Sequence, residues 1–147
     1  MGPKESNEEI LRYAKEKNTL SKIRLLEPVP PEVIYQEEKD ADILVLFEDL
    51  GELGPISRTT MTGKLFEYLP FRAPIVIIAR ADSDMKNILN DTSKGYLVSN
   101  IDQLDRVMND ILKGSVPTYN WPRIKKYSQE SQCKLLCDIL DQIILKQ

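Results

Sequence analysis

The sequence predicts an α/β fold, a Rossmann-like parallel sheet of about four strands with helices on both faces. Two continuous apolar runs, at residues 43–47 and 74–79, are typical of strands that are buried on both faces of a sheet. Amphipathic patterns with helical spacing alternate with these runs, which is the arrangement that produces parallel strands. The length of 147 residues indicates one domain spanning residues 1–147.

The first third of the chain contains two helices and a short strand candidate. Ser6 and Glu9 have the spacing of a capping box and begin a helix that reaches about Lys17. Residues 23–26 form a short, mostly apolar run that we expect to be a strand. Pro31 suits the first turn of a second helix, which extends over residues 32–39.

The remaining elements follow from the same kinds of pattern. A long loop at residues 48–60 leads into a helix at 63–69 and then into the second apolar strand. Asp82 or Ser83 caps a helix that ends near residue 89, residues 95–98 form a further strand, and a clean apolar stripe marks a helix at 101–112. The last helix, at 128–146, is expected to bury its apolar residues, which are Leu135, Leu136, Ile139, Leu140, Ile143 and Ile144.

Composition excludes several functional classes. The net charge of −3 and the scattered basic residues argue against a nucleic-acid partner. No stretch approaches the roughly 20 apolar residues that a membrane-spanning helix needs. Cys133 and Cys137, four apart in a helical segment, suit a disulfide poorly, so we expect a reduced, cytoplasmic protein. The chain has no histidine, which rules out a Ser-His-Asp triad and a histidine base, and its two cysteines alone do not make a metal site. We therefore expect no metal ion.

The segment from Thr60 to Glu67 contains the best candidate binding residues. Thr60 and Thr62 place hydroxyl groups near a helix N-terminus, where unsatisfied N–H groups favour an anion. Gly63 belongs to the same turn, Lys64 adds positive charge, and the Glu67 carboxylate can accept two hydrogen bonds from sugar hydroxyls. The alternative interpretation is an ordinary helix with a threonine cap and surface charges.

The order of these motifs resembles a known family. The segments ADILVLF, TGKLFEYL and PIVIIA, in that order and with a long loop after the first, are similar to the C-terminal, donor-binding domain of GT-B-type nucleotide-sugar glycosyltransferases of the group 1 family. Gly2-Pro3 resembles the end of a Gly-rich turn in that family, and residues 120–140 resemble its closing helices. The resemblance covers nearly the whole chain and implies a partial GT-B C-terminal domain.

The resemblance implies a role for each candidate residue. Glu67 would bind the ribose hydroxyls of a nucleotide sugar, and the turn at Thr60, Thr62 and Gly63, with Lys64, would lie near the diphosphate or the transferred sugar. The loop around Val29 would run close to the base of the nucleotide sugar. The implied reaction transfers a hexosyl unit from a nucleotide-sugar donor to a glycan or glycolipid acceptor in polysaccharide or glycoconjugate assembly. No metal or other cofactor is required, and the parent enzyme would be peripheral to the inner membrane face.

The chain departs from this family in two ways. The family often has a glutamate eight positions before the one that matches Glu67, where this chain has Thr59. The first strand and helix of the donor domain and the N-terminal acceptor domain have no counterpart here, so we expect a fragment that is inactive alone. Alternatives are a non-catalytic Rossmann-like interaction module and a fragment of a GT-B sugar-nucleotide epimerase. An unpaired sheet edge favours a homo-oligomer.

Overall fold

A computed structural model describes residues 3–48 and 61–144 of the chain. The chain divides into two compact units, Met1–Tyr35 and Gln36–Gln147, and each is described by itself. The first unit contains helix α1 (Pro3–Glu16), a short 3-10 helix (Leu20–Lys22) and the beginning of helix α2 (Pro31–Lys39). The boundary between the units falls within α2.

The strand predicted at residues 23–26 is absent, and the described residues form three strands rather than about four. Ile23 has an extended backbone, with φ −111° and ψ 130°. An extended backbone becomes a strand only when a neighbouring strand accepts and donates its hydrogen bonds, and this run has no such partner. The run is also interrupted by Arg24, and the side chains of Ile23, Leu25 and Leu26 are exposed.

The second unit is built on a parallel sheet. Its strands are β1 (Leu44–Phe47), β2 (Ile75–Ile78) and β3 (Gly95–Val98), in the order β1-β2-β3, with Leu44 beside Ile75 and Ile75 beside Gly95. The flanking helices are α3 (Gly63–Tyr68), α4 (Met85–Thr92), α5 (Ile101–Leu112), α6 (Trp121–Lys125) and α7 (Gln129–Ile144). The predicted α/β class, a parallel sheet flanked by helices, is confirmed.

The core of this unit surrounds β2, the central strand. Ile75, Val76 and Ile77 are fully buried, as the continuous apolar run predicts. Burying each of them contributes on the order of 2 kcal/mol. Strand β1 behaves differently, because its side chains alternate between buried and exposed and Phe47 is 79% exposed. The apolar run at 43–47 is therefore buried on only one face.

Helix α7 does not bury the apolar face that its sequence pattern defines. None of its residues is buried, and its leucine and isoleucine side chains are between 46% and 68% exposed. The prediction that these side chains are buried was wrong. Periodicity fixes which side chains share a face of a helix, but it carries no information on whether another element covers that face.

The core contains one fully buried lysine. Lys94 immediately precedes β3, and its Nζ donates a hydrogen bond to the backbone carbonyl of Phe71. The same Nζ lies 3.7 Å from the ring centroid of Tyr119 and 5.1 Å from that of Trp121. A carbonyl oxygen and two aromatic rings thus stabilise the charge. Burial lowers the pKa of Lys94 to about 8.

Three further contacts attach α6 to α4. The backbone N–H of Asn120 donates to the carbonyl oxygen of Thr92 at 2.9 Å. The Asp91 carboxylate accepts a hydrogen bond from the Tyr127 hydroxyl at 3.2 Å, and it lies 3.4 Å from the Arg123 guanidinium. These contacts join the end of α4, just before Lys94, to α6 and the residue Tyr127 that follows it.

Gly95 is expected to be essential for the pairing of β2 and β3. A Cβ at this position would lie 1.8 Å from the backbone oxygen of Ile75, and a backbone atom in the central strand has little room to shift. We expect Gly95→Ala to lower the free energy of unfolding by at least about 2 kcal/mol, measured by urea denaturation. Gly63→Ala is the control, since nothing lies within 4 Å of its Cβ. Equal stability of the two variants would contradict this account.

Lys94 is expected to make stability rise with pH. Because its folded pKa of about 8 lies below the usual 10.5, the unfolded chain binds more protons between these values. The free energy of unfolding should therefore rise over this pH window, by up to roughly 3 kcal/mol. Urea denaturation of wild type and Lys94→Met at pH 7 to 10.5 tests this, because the substitution removes the titrating group and leaves the tyrosines. Parallel pH profiles for the two proteins would refute the assignment.

Candidate functional site

The N-terminus of α3 carries most of the predicted binding residues. Thr62 is the N-cap, with an extended backbone, and its Oγ1 accepts a hydrogen bond from the backbone N–H of Lys64 at 3.3 Å. Leu65 and Leu69 face the core, so the helix presents Lys64 and Glu67 away from it. The spacing of apolar residues thus fixes which side chains of α3 are accessible.

Lys64 lies between two carboxylates. Its Nζ is 2.5 Å from Oε1 of Glu38 and 2.8 Å from Oε2 of Glu67. Partial desolvation opposes the charge of Lys64, but the hydrogen bonds and charges of these two glutamates outweigh it and raise the lysine pKa above its usual value. Lys64 therefore remains protonated across the physiological pH range.

The two glutamates differ in accessibility. The side chain of Glu38 is only 12% exposed, whereas that of Glu67 is 62% exposed. Glu38 lies in the last turn of α2, the helix that leads into β1. Glu38 is therefore the fixed partner of Lys64, and Glu67 is the partner that a ligand can reach.

Tyr68 completes the cluster. The Nζ of Lys64 lies 5.4 Å from its ring centroid, so the ring face adds to the stabilisation of the ammonium group. Burial and the charge of Glu38 raise the pKa of the Tyr68 hydroxyl, which keeps it protonated at neutral pH.

The charge balance of the cluster decides which ligands it suits. Two carboxylates and one ammonium group carry a net negative charge, and the hydrogen bond to Thr62 already occupies the N–H of Lys64. A phosphate would have to displace a carboxylate from Lys64. Hydroxyl groups meet no such competition, since a carboxylate has about four acceptor positions and Lys64 uses one of those on Glu67.

The structure places four of the predicted site residues together. Thr62, Gly63, Lys64 and Glu67 all lie at or within α3. Thr60, like Thr59, lies outside the described residues. Val29 belongs to the first unit, in the segment that precedes α2.

Sequence reasoning missed Glu38. This residue lies on a different helix from Lys64, and no spacing rule relates two residues on separate helices. The prediction of α2 places Glu38 near the end of a helix, but the pairing with Lys64 depends on how α2 and α3 pack.

Within residues 3–48 and 61–144, no group of three or more cysteine, aspartate or glutamate side chains is positioned to hold a metal ion. Among the helices in these same ranges, none is long and apolar enough to cross a membrane.

No protein-family model matches this chain, and no solved structure gives a significant match. The function is therefore inferred from the residues of α2 and α3 and from the sheet.

The difference in burial between the two glutamates leads to a stability prediction. We expect Glu38→Gln to lower the free energy of unfolding by about 1–2 kcal/mol, because it removes the less exposed partner of Lys64. Glu67→Gln should cost less than about 0.5 kcal/mol, as is usual for exposed ion pairs. Urea denaturation at low and high salt measures both effects. A larger loss for Glu67→Gln would contradict the structural role of Glu38.

Proposed function

We propose that this chain binds a nucleotide sugar, with the Glu67 carboxylate accepting hydrogen bonds from the ribose hydroxyls. The proposal is carried by one observation: an exposed carboxylate is held in place by Lys64, which is itself fixed by the nearly buried Glu38. A carboxylate oriented before binding loses little conformational freedom when a ligand arrives.

The parallel α/β unit supports this proposal. Such sheets position ligand-binding groups on the segments that connect strands and helices, and α3 lies on the connection between β1 and β2. Its residues match the Lys-Leu-Phe-Glu-Tyr-Leu motif on which the resemblance to group 1 glycosyltransferases rests. The reaction we propose for the complete enzyme is hexosyl transfer from the nucleotide sugar to a glycan or glycolipid acceptor.

Lys64 has a defined part in this proposal. In the free protein it orients Glu67, and a phosphate oxygen of the donor would reach its amine by displacing a carboxylate. Thr62 and Gly63 set the start of α3 and so the position of both charged side chains. Thr60 is proposed to contact the diphosphate.

A second candidate function is a non-catalytic interaction module. It is favoured by α7, whose six exposed leucine and isoleucine side chains are unusual for a free surface, and by the exposed Phe47 of β1. On this proposal the ion pairs of α3 are structural, and a second copy of the chain or another protein covers the apolar residues.

Binding of nucleotide sugars discriminates between the two proposals. We expect wild type to bind uridine diphosphate glucose or guanosine diphosphate mannose, and Glu67→Gln to weaken that binding roughly tenfold or more, because a charged hydrogen-bond acceptor is lost. Isothermal titration calorimetry measures the affinities. Glu130→Gln is the matched control, since Glu130 is an exposed glutamate in the first turn of α7.

Two outcomes would count against the first proposal. Equal affinities for wild type and Glu67→Gln would remove Glu67 from the site. The absence of any nucleotide-sugar binding by wild type, together with self-association in light scattering, would favour the interaction module.

A further inference from the structure

Strand β3 forms an edge of the parallel sheet. Among the described residues it pairs with β2 on one side and with no strand on the other. The carbonyl oxygens of Lys94 and Val98 accept hydrogen bonds at 3.0 Å from backbone N–H groups on the β2 side. Because backbone groups alternate in direction along a strand, the N–H and C=O groups of Gly95 and Leu97 point away from β2. No residue that the structure describes pairs with these outward groups.

The strand lacks the features that commonly protect a sheet edge. Natural edge strands are often guarded by charged side chains or proline, and the four residues of β3, GYLV, include neither. The edge is closed only after the strand ends, where the N–H of Ser99 donates to Oε1 of Gln103 at 2.9 Å. Gly95 and Leu97 therefore carry the hydrogen-bonding capacity that another strand can use.

A groove of about 540 Å³ runs along this edge. Leu97 packs against the core cluster that contains Leu89 of α4, whereas the hydroxyl of Tyr96 lies 3.5 Å from the carbonyl oxygen of Ser115, just past α5. Successive side chains of a strand point to opposite faces of the sheet, so α4 and α5 flank the edge from the two faces. The backbone of β3 thus lies at the base of the groove, with a helix on each side.

Helix α5 presents two opposite charges to this groove. Arg106 and Asp110 both line it, one helical turn apart, and both are exposed. Neither forms an ion pair with a side chain that the structure describes, and Nε of Arg106 donates instead to the backbone carbonyl of Asp102 at 3.1 Å. Both charges are therefore available to a partner that enters the groove.

The order of these charges follows the length of β3. Gln103 lies beside Ser99, just past the end of the strand. Asp110 lies near Tyr96, because burial and then the charge of Asp110 raise the pKa of the Tyr96 hydroxyl. Arg106 comes between Gln103 and Asp110 along the helix, so it lies level with the middle of the strand.

We propose that β3 pairs with β3 of a second copy of this chain, in antiparallel orientation across a two-fold axis. Opposite residues of an antiparallel ladder exchange both of their hydrogen bonds. Gly95 of one copy and Leu97 of the other can therefore satisfy each other's outward groups, and the two-fold axis repeats the exchange. The two sheets then form one continuous sheet.

Charge complementarity favours a second copy over an unrelated peptide. Antiparallel pairing reverses the order of residues along α5, so Arg106 of each copy approaches Asp110 of the other. A two-fold interface requires this kind of self-complementary surface. Val107 also lines the groove and is only half-buried, so the same approach covers an apolar side chain. The inference is independent of nucleotide-sugar binding, because no residue of α3 lines this groove.

The mass of the chain in solution tests the pairing. We expect wild type to form a dimer of twice the 16.9 kDa chain mass, and its dissociation constant is measured by sedimentation at several concentrations. Arg106→Glu and Asp110→Lys should each raise that constant about tenfold or more, because each places like charges opposite one another. The double variant exchanges the two charges and should restore the wild-type constant.

Asp105→Lys is the matched control for these variants. Asp105 is an exposed residue of α5 that does not line the groove, and its substitution changes the net charge as much as Asp110→Lys does. We expect it to leave the dissociation constant unchanged.

Leu97→Pro tests the backbone ladder separately from the charges. Proline removes the outward N–H of Leu97 and leaves the bonds between β2 and β3 in place, since proline is compatible with the open side of an edge strand. We expect this variant to be monomeric, and urea denaturation shows whether it remains folded. The charge variants test the proposal whether or not it does.

Three results would overturn the proposal. One is a wild type that stays monomeric at every concentration. Another is a double variant that dimerises as weakly as the single ones. The third is a dimer that every groove variant leaves intact and that Leu140→Glu dissociates, which would place the interface on α7.

Discussion

The second unit depends on the interaction between Lys94 and the carbonyl oxygen of Phe71. Phe71 lies between α3 and β2, and Lys94 lies between α4 and β3, so this hydrogen bond joins the two connections that enter adjacent strands. The rings of Tyr119 and Trp121 then bring the segment around the start of α6 onto the same ammonium group. A single buried amino group thereby contacts three parts of the chain that are distant in sequence.

The buried polar groups near Lys94 find their partners within the protein. Lys94 lies just before β3, at the amino end of the sheet, and there the buried polar groups are satisfied: Lys94 by Phe71, and Thr92 by the carbonyl of Ile88 at 2.6 Å. The carboxyl end differs, since Glu48 and Ser83 have no partner there. Other polar side chains at that end are paired, since Arg80 lies 3.1 Å from Asp82 after β2 and Ser99 bonds to Gln103 after β3.

Much of the second unit was predictable from local pattern, and the limits of that prediction are physical. The sequence predicts three elements to within about a residue, which are the strands at 75–78 and 95–98 and the helix at 101–112. Their apolar runs and helical stripes depend only on residues within the same segment. The partner of Lys64, the environment of Lys94 and the exposure of α7 depend on contacts between segments. No single-segment pattern contains them. The prediction of a strand at residues 23–26 was wrong for the same reason. A strand forms only when a neighbouring strand shares its hydrogen bonds, and the pattern within one segment does not show such a neighbour.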